Sequence, residues 1–461
     1  MACLVKPTVL RLSMGFGGRL RTPFVYFGLF SVATVINIIN ATNLRPLADD
    51  YCIAAGLADG PWKAFLQTYM SWSGDLVQIL SSIMTVGLPI YYFPYSVYGL
   101  VPVLLCSFML SFATYILLSR TEGGELSNRV KLLGSYFFVT FLWPTYWKSQ
   151  QVFDQVPYLS LALKAEEAGN AALQWSTVIS QYIVVPLLLF FIYLRAISVS
   201  NKRTRIIVFF FLGILLGLSG YALAVSVFLF IVVKHFLSKN MKYGIDLAFS
   251  VGILLALTFS LNSTGARTRA TSIGIESLGQ LDLARFALRF TSELIASTLN
   301  FGTLTLFVCG FLLASKCTFF GPGVADYFLV NFLKNSLIFL VIYFATIIIS
   351  EIFSYIAFWH LITFKAILFF VSLSLGLKSG LIARSRERFY STNKFAIAAT
   401  IFVLIAVGLS SYTHSSELKT RAEKWQTGPA GVKGVADIDL QNTWVVNCWR
   451  DLKKIKSSPD R

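Results

Sequence analysis

The sequence predicts an all-α fold, a polytopic bundle of about 11–12 transmembrane spans, since each crossing takes roughly 20 apolar residues. Two observations carry this. Of 461 residues, 56% are hydrophobic and 13% charged, against about 25% charged in an ordinary soluble domain. The apolar residues also come in long runs such as IIVFFFLGILLGL at 206–218, apolar on every face, where a membrane β-strand would alternate apolar and polar positions.

In chain order, runs able to span lie at 23–42, 97–118, 132–147, 175–194, 206–219, 220–233, 245–261, 299–314, 326–349, 352–376 and 395–412. The first is not followed by an A-x-A cleavage pattern, so residues 1–42 are expected to stay as an anchor. The stretch 76–118 is long enough for two spans, but two would reverse the orientation of everything after it. Residues 76–92 contain Pro89, precede Pro94 and begin with polar positions. They read as a re-entrant or interfacial helix, with a span missed elsewhere as the alternative. Residues 1–412 thus form the multi-pass domain, with outer loops 43–75, 148–174 and 262–298, and 413–461 a short extracytoplasmic tail.

Orientation comes from charge. The segments 1–22, 195–205, 234–242 and 378–394 together hold +15 of the net +17, whereas the loops 43–75, 148–174 and 262–298 hold −2, −1 and +1. Short basic loops face the cytoplasm, which puts the amino terminus inside and the three loops outside a plasma (cytoplasmic) membrane. A basic balance placed this way excludes nucleic acid as the partner. Six cysteines without a CxxC pair and three histidines leave no spaced ligand set for a structural metal and no pattern of a disulfide scaffold.

With no soluble domain, any chemistry falls at the outer membrane face. The first outer loop reads NLRPLADDYCIAAGLADGPWKAFLQTYMSWSGD, and its Asp49 and Asp50 stand close to the end of the first span. A carboxylate there could take a proton from an incoming hydroxyl or hold a divalent cation; the plainer reading is a solvated acidic turn. After Pro61, Trp62, Phe65, Leu66 and Tyr69 recur at helical spacing opposite Lys63, Gln67 and Ser71, which predicts a short helix lying in the interface. In LNSTGARTRA, Arg267 and Arg269 follow a span directly and could clamp a phosphate, or else sit on lipid headgroups. Lys148 could also reach a phosphate, and the aromatic rings of Tyr51, Trp147 and Tyr158 could stack on a sugar or its acceptor; belt residues are the alternative. Glu351, His360 and Lys365 are ionisable groups in apolar runs, pointing to a polar path, although Lys365 could snorkel.

ADDYC after the first span, TYMSWSGD, the aromatic segment at 145–161, GLSGY at 217–221 and STGARTR together resemble a branch of bacterial multi-pass membrane glycosyltransferases of the GT-C fold. Those proteins carry an acidic pair in the first outer loop, a W-x-G-R-like element and a P-G-N-x-x-R-like element. Here Asp75 stands at the arginine of the first, and Thr264 and Ala266 at the proline and asparagine of the second. The resemblance implies a GT-C-like bundle that moves a sugar from a polyprenyl-phosphate donor to a hydroxyl of a glycan, lipid or protein acceptor of the cell envelope. Asp49 or Asp50 would be the base and Arg269 a phosphate contact. No cofactor is called for, with a divalent metal held by the acidic pair left open. Because a lipid phosphate is a good leaving group, a base opposite it suffices for a single inverting displacement, with acid and arginines about 10 Å apart across one cavity. The alternative is a transporter or flippase of lipid-linked saccharides, which calls for inverted repeats and mid-bilayer charges.

Overall fold

The computed structural model describes residues 18–46, 49–71, 75–94, 97–119, 128–148, 173, 176–189, 192, 201–237, 243–264, 298, 300–316, 324–353, 357–385, 393–427, 447–448 and 450–451. No strand occurs among them. The helices are α1 (Gly18–Asn43), α2 (Asp49–Gly56), α3 (Pro61–Ser71), α4 (Leu76–Tyr92), α5 (Leu100–Ser119), α6 (Asn128–Lys148) and α7 (Ser176–Leu189). They continue as α8 (Lys202–Gly217), α9 (Tyr221–Leu237), α10 (Tyr243–Leu261), α11 (Phe301–Lys316), α12 (Val324–Phe353), α13 (Ala357–Ser385) and α14 (Asn393–Thr427). Among the described residues five helices, α5, α10, α12, α13 and α14, are long and apolar enough to cross a membrane. Apart from a few at run ends, the described residues of each expected run are helical, those of 352–376 being divided between the end of α12 and α13. At the carboxyl end, α14 passes the expected limit at 412 and continues to Thr427, because a stripe of His414, Leu418 and Ala422 packs inside.

Contacts at helix ends define one face of the bundle. Ser415 of α14 donates to Asn40 near the end of α1 (2.9 Å), and Lys148, the last residue of α6, pairs with Glu417. Ser260 near the end of α10 donates to Asp75 (3.2 Å), and the Val77 N–H donates to Leu218 O just past α8 (3.0 Å). The chain meets this face on both sides of α4: Val77, in its first turn, lies on Leu218, and Gly99, just ahead of α5, abuts Ala41 and Leu44 at the end of α1. These contacts fit α4 lying across the face, the re-entrant or interfacial reading of 76–92. Helix α3 lies at the same level with Trp62, Leu66 and Met70 exposed and Lys63 paired to Asp59 (2.7 Å).

Glycines set the two tightest helix pairs. Gly213 and Gly217 of α8 back onto Phe249, Ile253 and Ala256 of α10, and Gly252 returns the contact at Phe210; a Cβ at any of these glycines would collide with backbone. Gly310 of α11 and Gly376 and Gly380 of α13 do the same against Leu373, Phe307 and Phe311. Small residues spaced by four let backbones approach where lipid offers no hydrophobic drive between helices. In both pairs residue numbers rise together, so the helices are parallel, with α9 and α12 returning between them. Asn201 caps α8, accepting from the N–H groups of Arg203 and Thr204. Gly220, at φ +143°, makes the turn into α9.

One pair of cysteines without a local motif is bonded. Cys52 on α2 and Cys448 form a disulfide, with Cα atoms 4.8 Å apart across a sequence separation of 396. Spacing arguments see only cysteines close in sequence, and this pair meets because α14 returns the chain to α1 and α2. Cys106 and Cys309 are buried free thiols.

Candidate active site

The acidic pair opens α2, an eight-residue helix held against α4: a Cβ on Gly87 would strike Ile53 and Leu57. Asp50 has no exposed surface, and its Oδ1 accepts from the Thr177 N–H (3.0 Å) and the Thr177 hydroxyl. Thr177 lies near the start of the described part of α7 and offers its N–H and its hydroxyl on one side. A carboxylate that accepts from both groups of one residue is held by charge-assisted hydrogen bonds. Asp50 thus pins α2 to α7. The side chain of Asp49 lies outside the described ones.

Around this pair gather groups of both signs. Arg45 is buried, its Nη1 donating to Thr42 O (2.6 Å) and Leu44 O (2.8 Å), the carbonyls that end α1. Burial pulls its pKa down, while Tyr98 and Tyr51 nearby act in the opposite sense. Tyr98 lies within electrostatic reach of Asp50 and of Arg421 on α14, and its hydroxyl accepts from Ser176 (3.2 Å). Tyr51 is fully buried with Tyr98, Leu44, Ala54 and Leu418. Below them, α4 and α7 each contain a π-helical turn, at Ile83–Gly87 and Ser180–Val184, and the two are stitched together by hydroxyls and an amide. Ser81 shares a hydrogen bond with Ser180 (2.6 Å), Thr85 donates to Ser180 (2.7 Å) and Gln181 to Ser82 (2.7 Å). Widened turns of this kind recur at functional sites.

Beside the cluster, a cavity of about 50 Å³ runs between α1, α5, α6 and α14, lined by Asn37, Asn40, Thr140, Trp143 and His414. The volume suffices for a few waters. Asn37 donates to Tyr136 (2.9 Å) and Thr140 (3.1 Å), and Nδ1 of the buried His414 has no hydrogen-bond partner among the described residues.

Of the residues singled out from sequence, Asp50 and Tyr51 come together. Lys148 stands apart from the role foreseen for it: it is buried and paired with Glu417. Trp147 is fully buried, edge-on to Trp143 and Tyr146 with centroids 5.5 Å away, and Lys365 Nζ lies 6.0 Å from its ring. No face of this indole is open to a sugar, because α6 is a core helix rather than a belt helix. Lys365 is itself buried, which excludes snorkelling. Arg267, Arg269 and Tyr158, and the side chains of Glu351 and His360, lie outside what is described. Sequence reasoning missed Thr177, Tyr98, Arg421, His414 and Glu417. Only Arg45, in the same loop as the acidic pair, had a local signal. Among the described residues no group of three or more His, Cys, Asp or Glu is placed to hold a metal ion. Compared with known proteins, the chain matches no family model, no curated protein and no solved structure.

Proposed function

We propose that the chain is a membrane glycosyltransferase that moves a sugar from a polyprenyl-phosphate donor to an envelope hydroxyl, at the face that carries the acidic pair. The observation that supports it is the company kept by Asp50. A buried carboxylate anchors the short helix whose first residue is Asp49, with two arginines and two phenols beside it. In this reading Asp50 positions α2 and Asp49 is the general base. Arg45 and Arg421 set a positive field that favours a phosphate leaving group, and Arg267 and Arg269 contact that phosphate directly. A base and a cation on either side of one anomeric carbon are what a single displacement needs.

Transfer of sugar from a polyprenyl-phosphate donor, assayed with a panel of donors in membranes, tests this. Asp49→Asn should lower the rate by about 100- to 10,000-fold, the usual span for a lost general base, while the melting temperature stays put. Wild-type rates in Asp49→Asn would sink the assignment.

One observation favours the flippase alternative. Helices α8–α10 and α11–α13 share an arrangement, two parallel glycine-contact helices with a returning helix between, and the two sets start from opposite faces. Inverted triplets of this kind are common in transporters. The seam where their middle helices meet is apolar, however, with Phe230 against Phe339 (5.9 Å) and Leu333, Leu340 and Tyr343 packed beside Ala222. A transporter path would place polar groups there.

A further inference from the structure

We propose that Cys52–Cys448 is a redox latch, closed by a thiol–disulfide exchange partner only after α14 is in place, and that the face carrying the acidic pair is therefore the extracytoplasmic one. This inference is independent of what the site transfers. Cys52 lies on α2, two positions after Asp50, and Cys448 packs on the cluster of Leu44, Tyr51, Tyr98 and Leu418. The bond thus ties the segment that follows α14 to the helix that carries the acidic pair. An eight-residue helix is too short to hold its shape alone, so its place depends on burial, on the Asp50–Thr177 hydrogen bonds and on this link.

Two bonded sulfurs share one side of the membrane, so the chain between them crosses an even number of times. That condition agrees with α4 lying across the face. The bond cannot form until α14 has brought residue 448 back to α2, which makes it a mark that α14 is in place. Closing it removes two electrons and two protons from the two thiols. A partner carrying a reactive disulfide supplies the oxidising power: one cysteine thiolate attacks that disulfide and expels a partner thiolate. The second cysteine then attacks the mixed disulfide, leaving Cys52–Cys448 joined and the partner as a dithiol. Such bonds persist outside the cytoplasm and are rare within it. Cys106 and Cys309, buried on α5 and α11, are shielded from the exchange.

The full chain in native membranes tests both parts, with a protease site inserted at 238–242. After cleavage the two fragments should migrate as one species without reductant and as two with it, whereas Cys448→Ser should give two in both lanes. Two fragments from the unreduced wild-type chain would overturn the bond. For the latch, hydrogen exchange of the α2 amides should quicken at least tenfold on reduction, while exchange in the α11–α13 pair stays constant. Unchanged α2 exchange in the reduced wild-type protein would refute the latch even if Cys448→Ser failed to fold. A membrane-impermeant maleimide added after reduction should label the freed thiols from outside; labelling only after permeabilisation would overturn the orientation. None of these readouts uses sugar transfer.

Discussion

At Thr177 a single residue supplies both the N–H and the hydroxyl that hold Asp50. Removing the hydroxyl from a buried, charge-assisted hydrogen bond should cost about 1.5–3 kcal/mol. Thr177→Val should therefore lower the melting temperature and loosen α2, and Thr177→Ser should restore most of the loss. If Thr177→Val melted with the wild type, the anchoring role of Asp50 would be wrong. The pair of Lys148 and Glu417 offers a second measurement. Lys148 is 4% exposed at its side chain and Glu417 38%, so water offsets part of the loss when the acid is removed. Glu417→Gln should cost about 1–3 kcal/mol, below the 3–5 kcal/mol of a fully buried pair. The double variant Lys148→Met with Glu417→Leu should recover stability, which a double-mutant cycle would register as a coupling above about 0.5 kcal/mol. The acidic pair was legible because two adjacent carboxylates near a span end are conspicuous in an apolar chain. Thr177 was not, since a threonine ahead of an apolar run is ordinary and its partner lies 127 positions away. The fates of Lys148 and Trp147 were illegible for a related reason: composition marks an interfacial aromatic, but which side of a helix the bundle covers is settled by its neighbours.

Helices themselves read well from sequence, since hydropathy and length decide whether a run can cross and the described residues of the expected runs are helical apart from a few at their ends. What hydropathy cannot supply is which helices touch. The glycine contacts of α8 with α10 and of α11 with α13 depend on residues that contribute nothing to hydropathy, and their parallel sense follows from a return helix in each set. Their energetic weight can be measured. Gly252→Leu and Gly376→Leu drive a side chain into backbone at Phe210 and Phe307 and should each destabilise by more than the roughly 1–3 kcal/mol of ordinary overpacking. Gly408→Leu on α14, where nothing lies within 4 Å, should be close to neutral and serves as the control. Equal melting of all three would mean the helices do not meet at the glycines. Helix α4 shows the reverse situation: its prolines and polar start disfavour a span, and the contacts of Val77 with Leu218 and of Gly99, ahead of α5, with α1 fit the same reading.

For the molecule as a whole, charge and contact geometry bear on orientation separately. The basic segments 195–205 and 234–242 adjoin the amino ends of α8 and α10, whose carboxyl ends reach the face where Asp75, Leu218 and Ser260 meet. The acidic pair is at that same face, opposite the basic loops. Positive residues are retained on the cytoplasmic side because the inserted chain orients around them. Arg203, exposed at the start of α8, and Asp59, exposed beside α3, should then stand on opposite sides of the membrane. Cysteines placed at each, in chains whose Cys52 and Cys448 remain bonded, should react with a membrane-impermeant maleimide differently in sealed cells. Asp59→Cys should label from outside, and Arg203→Cys only after permeabilisation. Both substitutions are exposed, so folding should be unaffected within about 0.5 kcal/mol. Outside labelling of Arg203→Cys would invert the molecule, place the acidic pair in the cytoplasm and remove the setting in which a lipid-linked donor could meet an envelope acceptor.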